Sequence, residues 1–435
     1  MVGNFRRLRG LRDLLPEDTC KLNHVVSIVR LLFKLYGYEE IITPTIESFE
    51  LLAAKSGEEI RHRMYVFEDL GGRRVALRPE MTASVARFFI NNLLSYPKPV
   101  RLGYVANCFR YDEPQFGRYR EFWQGGFELL GSSNPEADVE ILEIADELMS
   151  RLGFKNHYFK ISHIGVLKGF LSDFEVDEKD QNHFMNLLDR SRFDEAFNYL
   201  SSLGLSEEAI KTVRKLCSLK GRFSNTLFDK AYKLLLKSPF SLSSLQDFRE
   251  ILKLCSSINL LDKFIIDFSF ARGLEYYTGI IFEFYVPNFR LALGGGGRYD
   301  RLIELFGGPP TPAVGFSPGL DRIILAMEAE NISFKYDFLR GVHLISIDRS
   351  VLPYSLKVAK KFRDAGIPVV LEVLRRGLRR ALSHASSQRA PYAVIIGGRE
   401  YEKNIIILKD LDKGEQYMLS VEEAIRLLRN KYNLG

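Results

Sequence analysis

The sequence predicts an α+β protein: an antiparallel sheet flanked by helices, a helical insertion, and a C-terminal α/β domain. Two apolar runs flank a polar connector between Val100 and Gly131, which is typical of an antiparallel hairpin. Residues 165–258 are polar with helical periodicity. From residue 342 onward, strand-like and helix-like segments alternate, as they do in α/β domains.

The chain has 435 residues, enough for two or three domains. Apolar content of 46% and charged content of 27% are ordinary for a globular protein. The changes in polarity and periodicity along the chain predict a core in two parts, residues 1–164 and 259–330, separated by the insertion at 165–258. A linker at 331–341 and a last domain at 342–435 complete the predicted organisation.

The net charge of +6 is distributed unevenly along the chain. Residues 341–435 contain 17 Lys and Arg against 10 Asp and Glu, a difference of +7, so the remaining residues sum to −1. A basic domain on a nearly neutral body indicates a polyanionic partner. The four cysteines are widely spaced, which favours reduced thiols over bridges or zinc ligands.

The N-terminal residues lack an apolar core of signal-peptide length, and no uninterrupted apolar run of about 18 residues occurs. We therefore expect a cytoplasmic protein with no membrane association.

The first helix is predicted from Pro16 to Gly37, with Glu17 and Asp18 at its positive end. A strand from Tyr38 to Pro44 should follow it.

The returning strand of the hairpin carries polar residues at every second position. Its period of two places Gln124, Gly126 and Glu128 on one face, and Trp123, Phe127 and Leu129 on the other, which would face away from a ligand. A glycine inside a strand often marks close approach by a ligand or another backbone. Arg110 ends the first strand and can reach over the same surface, so this face is a candidate ligand site.

A second polar constellation follows the run Val75–Leu77, where a strand delivers Glu80 and Thr82 to one side at a turn. The structural alternative is that Thr82 caps the helix that begins beside it. The same residue can cap the helix and also contact a ligand. Further on, Ile280–Val286 and a strand from Phe289 predict another hairpin, which ends in four glycines, 294–297. No GK[ST] follows them, so we interpret them as strand glycines that let a ligand lie against bare backbone.

In the last domain, strands are predicted at 342–347, 369–373, 392–397, 405–408 and 416–419, with helices at 352–364, 374–387 and 421–428. This alternation favours a largely parallel sheet. Arg375, Arg376, Arg379 and Arg380 would lie on one side of the helix at 374–387. They are the candidate polyanion surface, the alternative being a merely solvated basic helix.

Three segments resemble the class II aminoacyl-tRNA synthetases, in the form found in the histidyl-tRNA synthetase family. FRYDEPQFGRYREFWQ, from Phe109 to Gln124, resembles the second class II motif. PAVGFSPGLDR, from Pro312 to Arg322, resembles the third, which predicts a strand, a glycine-rich turn and a helix starting near Leu320. ARGLEYYTG, from Ala271 to Gly279, resembles a signature of the histidyl family itself. The helix and strand ending at Pro44 resemble the first motif, which in the family lies at a dimer interface.

The resemblance implies that the chain is a histidine–tRNA ligase that uses ATP, with Mg²⁺ accompanying the nucleotide, although no dedicated metal cage is visible. It implies L-histidine and tRNA-His as partners, a homodimer, and no role for DNA. In the family, the insertion can reach the tRNA acceptor stem and the C-terminal domain binds the anticodon.

The resemblance also implies residue roles. Catalysis falls to Arg110 and Arg272, which would contact the α-phosphate. The residues expected to bind ATP are Arg110, Arg118, Arg272 and Arg322. Those expected to bind histidine are Glu80, Met81, Thr82, Arg110, Gln124, Glu128, Arg272, Tyr276 and Tyr277. Arg298 and Tyr299 are further candidate walls of the pocket, or else core residues.

The alternative is the catalytically silent synthetase paralogue that regulates ATP phosphoribosyltransferase, which shares the catalytic fold and would sense histidine without synthetase activity. That paralogue typically lacks the C-terminal domain and has lost ATP-binding arginines. Here Arg110, Arg272 and Arg322 are all present, and about 95 C-terminal residues follow the core. These features favour the ligase.

Overall fold

The computed structural model describes residues 6–54, 58–272, 276–334 and 341–431. Two compact units are present, Met1–Phe334 and Lys335–Gly435. The strands of the first unit are β1 (Glu39–Glu40), β2 (Ile46–Ser48), β3 (Val66–Glu68), β4 (Arg74–Leu77), β5 (Val100–Phe109), β6 (Glu121–Leu130), β7 (Tyr158–His163), β8 (Lys220–Arg222), β9 (Phe264–Asp267), β10 (Ile280–Val286), β11 (Phe289–Arg298) and β12 (Ala313–Pro318). Its helices are α1 (Pro16–Tyr36), α2 (Phe49–Ala53), α3 (Glu58–Arg61), α4 (Thr82–Asn92), α5 (Pro135–Arg151), α6 (Ile164–Asp173), α7 (Glu178–Asp189), α8 (Phe193–Ser202), α9 (Glu207–Cys217), α10 (Asn225–Leu235), α11 (Pro239–Ser257), α12 (Leu302–Leu305) and α13 (Leu320–Ala329).

Nine strands of the described chain form one sheet in the order β1-β5-β6-β12-β11-β10-β7-β9-β8. Every neighbouring pair from β5 to β7 in that order is antiparallel. The outer pairs β1–β5 and β7–β9 are parallel. A small sheet, β2-β4-β3, lies outside it. The predicted antiparallel sheet flanked by helices is confirmed.

Helix α1 follows the predicted pattern, with Pro16 in its first turn and Gly37 ending it at φ +70°. The strand expected from Tyr38 to Pro44 is much shorter, because it pairs as β1 only at Glu39–Glu40. Beyond it, the carbonyls of Thr43 and Pro44 accept hydrogen bonds from the Arg78 guanidinium, at 2.9 and 3.3 Å. A buried arginine therefore takes the place of a partner strand there.

Strands β5 and β6 pair along their whole length and form the predicted hairpin, with Tyr104 opposite Gly126 and Ala106 opposite Gln124. Phe127 points into the core, where its ring contacts those of Phe33 and Phe316. The hairpin β10–β11 and the third-motif strand β12 extend the same sheet, and α13 begins at Leu320 as predicted.

The predicted insertion contains α6 to α11, and Ser206 caps α9 by accepting the Ala209 N–H. It also contains β8, which pairs with β9 at the edge of the nine-stranded sheet. Its buried side chains belong to the same apolar cluster as those of the sheet. The boundaries predicted at 164, 258 and 330 remain predictions.

The second unit contains β13 (Val342–Ser346), β14 (Val369–Leu371), β15 (Tyr392–Ile396), β16 (Ile406–Asp410), β17 (Gln416–Leu419), α14 (Leu352–Asp364), α15 (Leu378–Ser387), α16 (Gly398–Glu402) and α17 (Val421–Lys431). Its sheet order is β14-β13-β15-β16-β17. The pairs formed by β13 are parallel, whereas those formed by β16 are antiparallel. The sheet is therefore mixed, because β16 returns after the short helix α16 and β17 returns after a turn. The expectation of a largely parallel sheet was wrong.

The helix expected from residue 374 begins only at Leu378. Arg375 has φ +54°, outside helical geometry. The carboxylate of Glu372 accepts the Leu374 N–H at 2.9 Å and the Arg376 Nη1 at 2.8 Å, which folds this segment into a loop. The four arginines therefore do not lie on one helix, and only Arg379 and Arg380 belong to α15. Most of the predicted linker at 331–341 lies outside the described residues.

Candidate active site

Two adjoining cavities lie against β6, β11 and β12. The first, which we call the arginine cleft, encloses about 710 Å³. The second, the inner pocket, encloses about 460 Å³. Five residues line both cavities: Arg110, Gln124, Arg272, Gly295 and Ser317. A ligand in either cavity would therefore contact side chains that border the other.

All four arginines predicted to bind ATP line the arginine cleft: Arg110, Arg118, Arg272 and Arg322. They come from the end of β5, the β5–β6 loop, the segment after β9, and the first turn of α13. The pKa of Arg322 lies below its usual value because of burial and then the repulsion of Arg110 and Arg118. Such a concentration of cations fits a polyanionic ligand.

Backbone carbonyls orient two of these guanidinium groups. Arg110 donates from Nε to the Pro79 carbonyl at 2.8 Å. Arg322 donates to the carbonyls of Gly117 and Ala292, each at 3.0 Å. Because a carbonyl fixes the side chain without cancelling its charge, both arginines keep their full positive charge for a ligand.

Arg272 is placed by the glycines of β11. It donates from Nη1 to the Phe282 carbonyl at 3.1 Å, and a Cβ added at Gly295 would lie 2.0 Å from that same nitrogen. A Cβ at Gly297 would lie 3.0 Å from the Tyr277 ring. The side chains of Arg272 and Tyr277 therefore occupy the space that a Cβ would need at these two positions. That the glycines let a ligand lie against bare backbone stays a prediction, and Gly294, Gly295 and Gly296 do line the cavities.

The inner pocket brings together all nine residues predicted to bind histidine. It is lined by Glu80, Met81, Thr82, Arg110, Gln124, Glu128, Arg272, Tyr276 and Tyr277, with Tyr104, Gly296, Tyr299, Gly315 and Phe316 among the others. Gly273, Leu274 and Glu275, within the histidyl-family signature, lie outside the described residues.

Glu128 is the most deeply buried charged group of the inner pocket, with 1% of the residue exposed. Its carboxylate accepts hydrogen bonds from the hydroxyls of Thr82 at 3.2 Å and Tyr104 at 3.4 Å, and from that of Tyr299. Burial raises the pKa of Glu128 to about 8, although the hydroxyl hydrogen bonds oppose the shift. A carboxyl group with four acceptor sites that receives three hydroxyls has room for a further N–H donor.

Glu80, not Thr82, caps helix α4. Its carboxylate accepts the backbone N–H groups of Thr82 at 2.6 Å and Ala83 at 3.1 Å. The Thr82 hydroxyl points instead to Glu128. The capping alternative for Thr82 was therefore wrong, since a carboxylate two residues earlier satisfies the first N–H groups.

Tyr104 is a pocket residue that the sequence did not predict, and Trp123, which was expected to face away from a ligand, lines the arginine cleft. The Tyr104 ring fills the space above Gly126, where an added Cβ would lie 2.0 Å from the Tyr104 Cζ. The glycine inside β6 indicated a close approach, but only the hairpin register identifies Tyr104 as the neighbour. By contrast, Arg298 does not line the pocket. Its guanidinium is paired with Asp138 at 2.6 Å and with Asp300 at 3.0 Å, so its role is structural.

Within the described residues, no group of three or more His, Cys, Asp or Glu is placed to hold a metal ion. The four cysteines are unpaired with one another, and Cys108 donates to the Gln124 side-chain oxygen at 3.1 Å. The carboxylates of Asp112 and Glu283 do line the arginine cleft.

Among the residues that the structure describes, no helix has the length and apolarity needed to cross a bilayer.

An antiparallel sheet that carries converging arginines beside a small polar pocket agrees with the class II aminoacyl-tRNA synthetase that the sequence motifs predict. Comparison with known proteins gives the family. The model described as histidyl-tRNA synthetase matches residues 10–323, and the model described as anticodon binding domain matches residues 341–431. The chain belongs to the histidyl-tRNA synthetase family.

Relatives match nearly the whole chain. A histidine–tRNA ligase of Methanocaldococcus jannaschii is 42% identical over 425 residues, 97% of this chain and 99% of the relative. That of Pyrococcus furiosus is 35% identical over 431 residues, 98% and 99% of the two chains. The crystal structure of apo S. aureus histidyl-tRNA synthetase superposes with a TM-score of 0.74 at 26% identity, over 97% of this chain and 99% of that one. The predicted family and the ligase class are confirmed, and the regulatory alternative is disfavoured.

Proposed function

We propose that the chain activates L-histidine with ATP, forming histidyl-adenylate and pyrophosphate, and then transfers histidine to the 3′ end of tRNA-His. The observation that carries this proposal is the convergence of four guanidinium groups on a cleft that adjoins a buried pocket containing Glu128. The cleft suits a triphosphate, and the pocket suits a small ligand with N–H groups.

Activation requires the histidine carboxylate to attack the α-phosphorus of ATP. We propose that Arg110 and Arg272, which line both cavities, contact the α-phosphate that the carboxylate attacks. We propose that Arg118 and Arg322, which line only the cleft, contact the outer phosphates. These are the roles that we propose for the four arginines.

The reaction centre gains negative charge as pyrophosphate leaves, so fixed cations contribute more than a general base. Arg110 is held by a carbonyl before the substrate binds, and it therefore needs little reorganisation during the reaction. Mg²⁺ would enter with the nucleotide and neutralise its outer phosphates. Asp112 and Glu283 are the carboxylates of the cleft that could hold it.

Recognition of histidine needs partners for two ring nitrogens. We propose that Glu128 pairs with one and the Tyr277 hydroxyl with the other. The ionised Glu128 can accept a ring N–H and the protonated acid can donate to a ring nitrogen, so a pKa of about 8 suits either form. Glu80, Thr82 and Gln124 also line the inner pocket. We propose that Glu80 and Thr82, at the start of α4, bind the α-amino group and that Gln124 binds another polar group of the amino acid.

The second unit would supply tRNA contacts through the loop and helix that contain Arg375, Arg379 and Arg380, all of which are exposed. A polyanionic partner accounts for the excess of positive charge in this unit. We propose further that the enzyme is a cytoplasmic homodimer, as the first class II motif implies.

Histidine-dependent exchange of pyrophosphate into ATP tests the activation step, and charging of tRNA-His tests the transfer. We expect exchange with L-histidine and none with phenylalanine, which offers no ring nitrogen. A chain that binds histidine but exchanges no pyrophosphate would contradict the proposal and support a regulatory role.

A further inference from the structure

Residues 8–13, which precede α1, lie across the outer side of the β5–β6 loop; we call this segment the strap. Gly10 accepts the Arg120 backbone N–H through its carbonyl at 3.0 Å. The Arg9 carbonyl accepts Arg120 Nη1 at 3.1 Å. Gly10 has φ +85°, and a Cβ there would lie 2.6 Å from Arg120 Cδ. Both the conformation and the close approach therefore require glycine.

Arg12 connects the strap to two further elements. Its guanidinium lies 3.3 Å from the centre of the Tyr119 ring, in a cation–π contact. It also pairs with the carboxylate of Asp321 in the first turn of α13. The other oxygen of Asp321 accepts the Trp123 backbone N–H at 2.6 Å. Arg12 thus joins the loop, helix α13 and strand β6.

The contacts of the strap hold the two residues that follow Arg118 in the loop. Tyr119 is held by Arg12, and Arg120 by Gly10 and the Arg9 carbonyl. The Arg118 guanidinium lines the arginine cleft. Arg12 does not line that cleft, so any effect of Arg12 on a ligand there must be transmitted through its neighbours.

We propose that Arg12 is a positioning residue, which acts through Tyr119 and Asp321 to hold Arg118 and Arg322 in place for the triphosphate. This inference rests on the proposed function of the cleft and deepens it. Asp321 immediately precedes Arg322, which would bind the outer phosphates. The ion pair between Arg12 and Asp321 therefore fixes the first turn of α13 directly beside Arg322. The same guanidinium limits the movement of the loop by covering the Tyr119 ring.

The test is the affinity for ATP of the full-length chain with Arg12→Ala. We expect both the Kd for ATP, measured by calorimetry, and the KM for ATP in exchange to rise about tenfold, equivalent to about 1.4 kcal/mol. The KM for histidine should stay within about twofold of the unmodified value, because the residues that Arg12 contacts, Tyr119 and Asp321, do not line the inner pocket. Arg12→Lys should recover part of the loss, since it keeps the charge beside Asp321 but not the planar stack.

Lys21→Ala is the matched control. Lys21 also joins the N-terminal region to α13, through Glu328 at 2.9 Å, but it lies away from the loop. We expect its ATP affinity to equal that of the unmodified chain. An Arg12→Ala chain with unchanged Kd and KM for ATP would overturn the proposal. So would equal losses for ATP and histidine together with a lowered unfolding temperature.

The calorimetric Kd separates this proposal from the proposed function. An unmodified chain that binds ATP without histidine-dependent exchange would contradict the synthetase function, yet the effect of Arg12→Ala on the Kd would still decide the role of the strap. An unmodified chain that does not bind ATP would overturn both.

Discussion

Replacing Glu128 by alanine should weaken recognition of the histidine ring and leave ATP binding intact. Glu128 lines the inner pocket but not the arginine cleft. Its removal leaves a buried polar group of the imidazole ring without a partner, at a cost of about 1–3 kcal/mol. This cost corresponds to a loss of histidine affinity of about 5–150-fold.

Isothermal titration calorimetry with histidine and, separately, with ATP gives both affinities in the same preparation. We expect the ATP affinity of Glu128→Ala to stay within about twofold of the unmodified value, which also serves as the control for folding. Glu128→Gln is the matched variant, because it keeps the volume and an acceptor for the hydroxyls of Thr82, Tyr104 and Tyr299. Unchanged histidine affinity in Glu128→Ala would refute the assignment of ring recognition to this residue.

Three further predictions concern the cleft, the stability and the second unit. Arg110→Lys should slow pyrophosphate exchange by about 10²–10³-fold, because an ammonium cannot replace the fork that is held on Pro79; exchange within threefold of the unmodified rate would contradict this. Glu128 has a folded pKa of about 8 against an ordinary value of 4.5. The unmodified chain should therefore lose stability relative to Glu128→Gln as the pH rises from 4.5 to about 8, by about 1.4 kcal/mol per pH unit at most. Denaturant unfolding at pH 5, 6.5 and 8 measures the difference, and a pH-independent difference would contradict the burial argument. Replacing Arg375, Arg379 and Arg380 by glutamine should make tRNA binding less salt-dependent, lowering the slope by about 0.7–0.9 per lost phosphate contact. Lys360→Gln, which removes an exposed lysine paired with Asp364, should leave the slope unchanged, and an unchanged slope in the triple variant would place those arginines off the RNA.

Patterns of local spacing predicted most of the elements that build the site. The period of two in β6 placed Gln124 and Glu128 on one face, and both line the inner pocket. The start of α13 at Leu320 followed from the glycine-rich turn before it. These features depend on neighbours in the chain, so a single sequence contains them.

Features set by contacts distant in sequence were missed or wrong. Tyr104 enters the pocket because the hairpin register places it opposite Gly126. The sequence of either strand alone does not determine that register. The four arginines of the second unit were expected on one helix, but the Glu372 carboxylate holds Leu374 and Arg376 in a loop. Arg272 fills the space that Gly295 leaves open, a contact between segments that spacing could not relate.

The most direct measurement is a crystal structure of the chain with histidine and a non-hydrolysable ATP analogue bound. We expect the α-phosphate within hydrogen-bond distance of Arg110 and Arg272, the outer phosphates beside Arg118 and Arg322, and an imidazole nitrogen within hydrogen-bond distance of Glu128. A triphosphate bound away from these arginines, or an imidazole that leaves Glu128 without contact, would contradict this expectation.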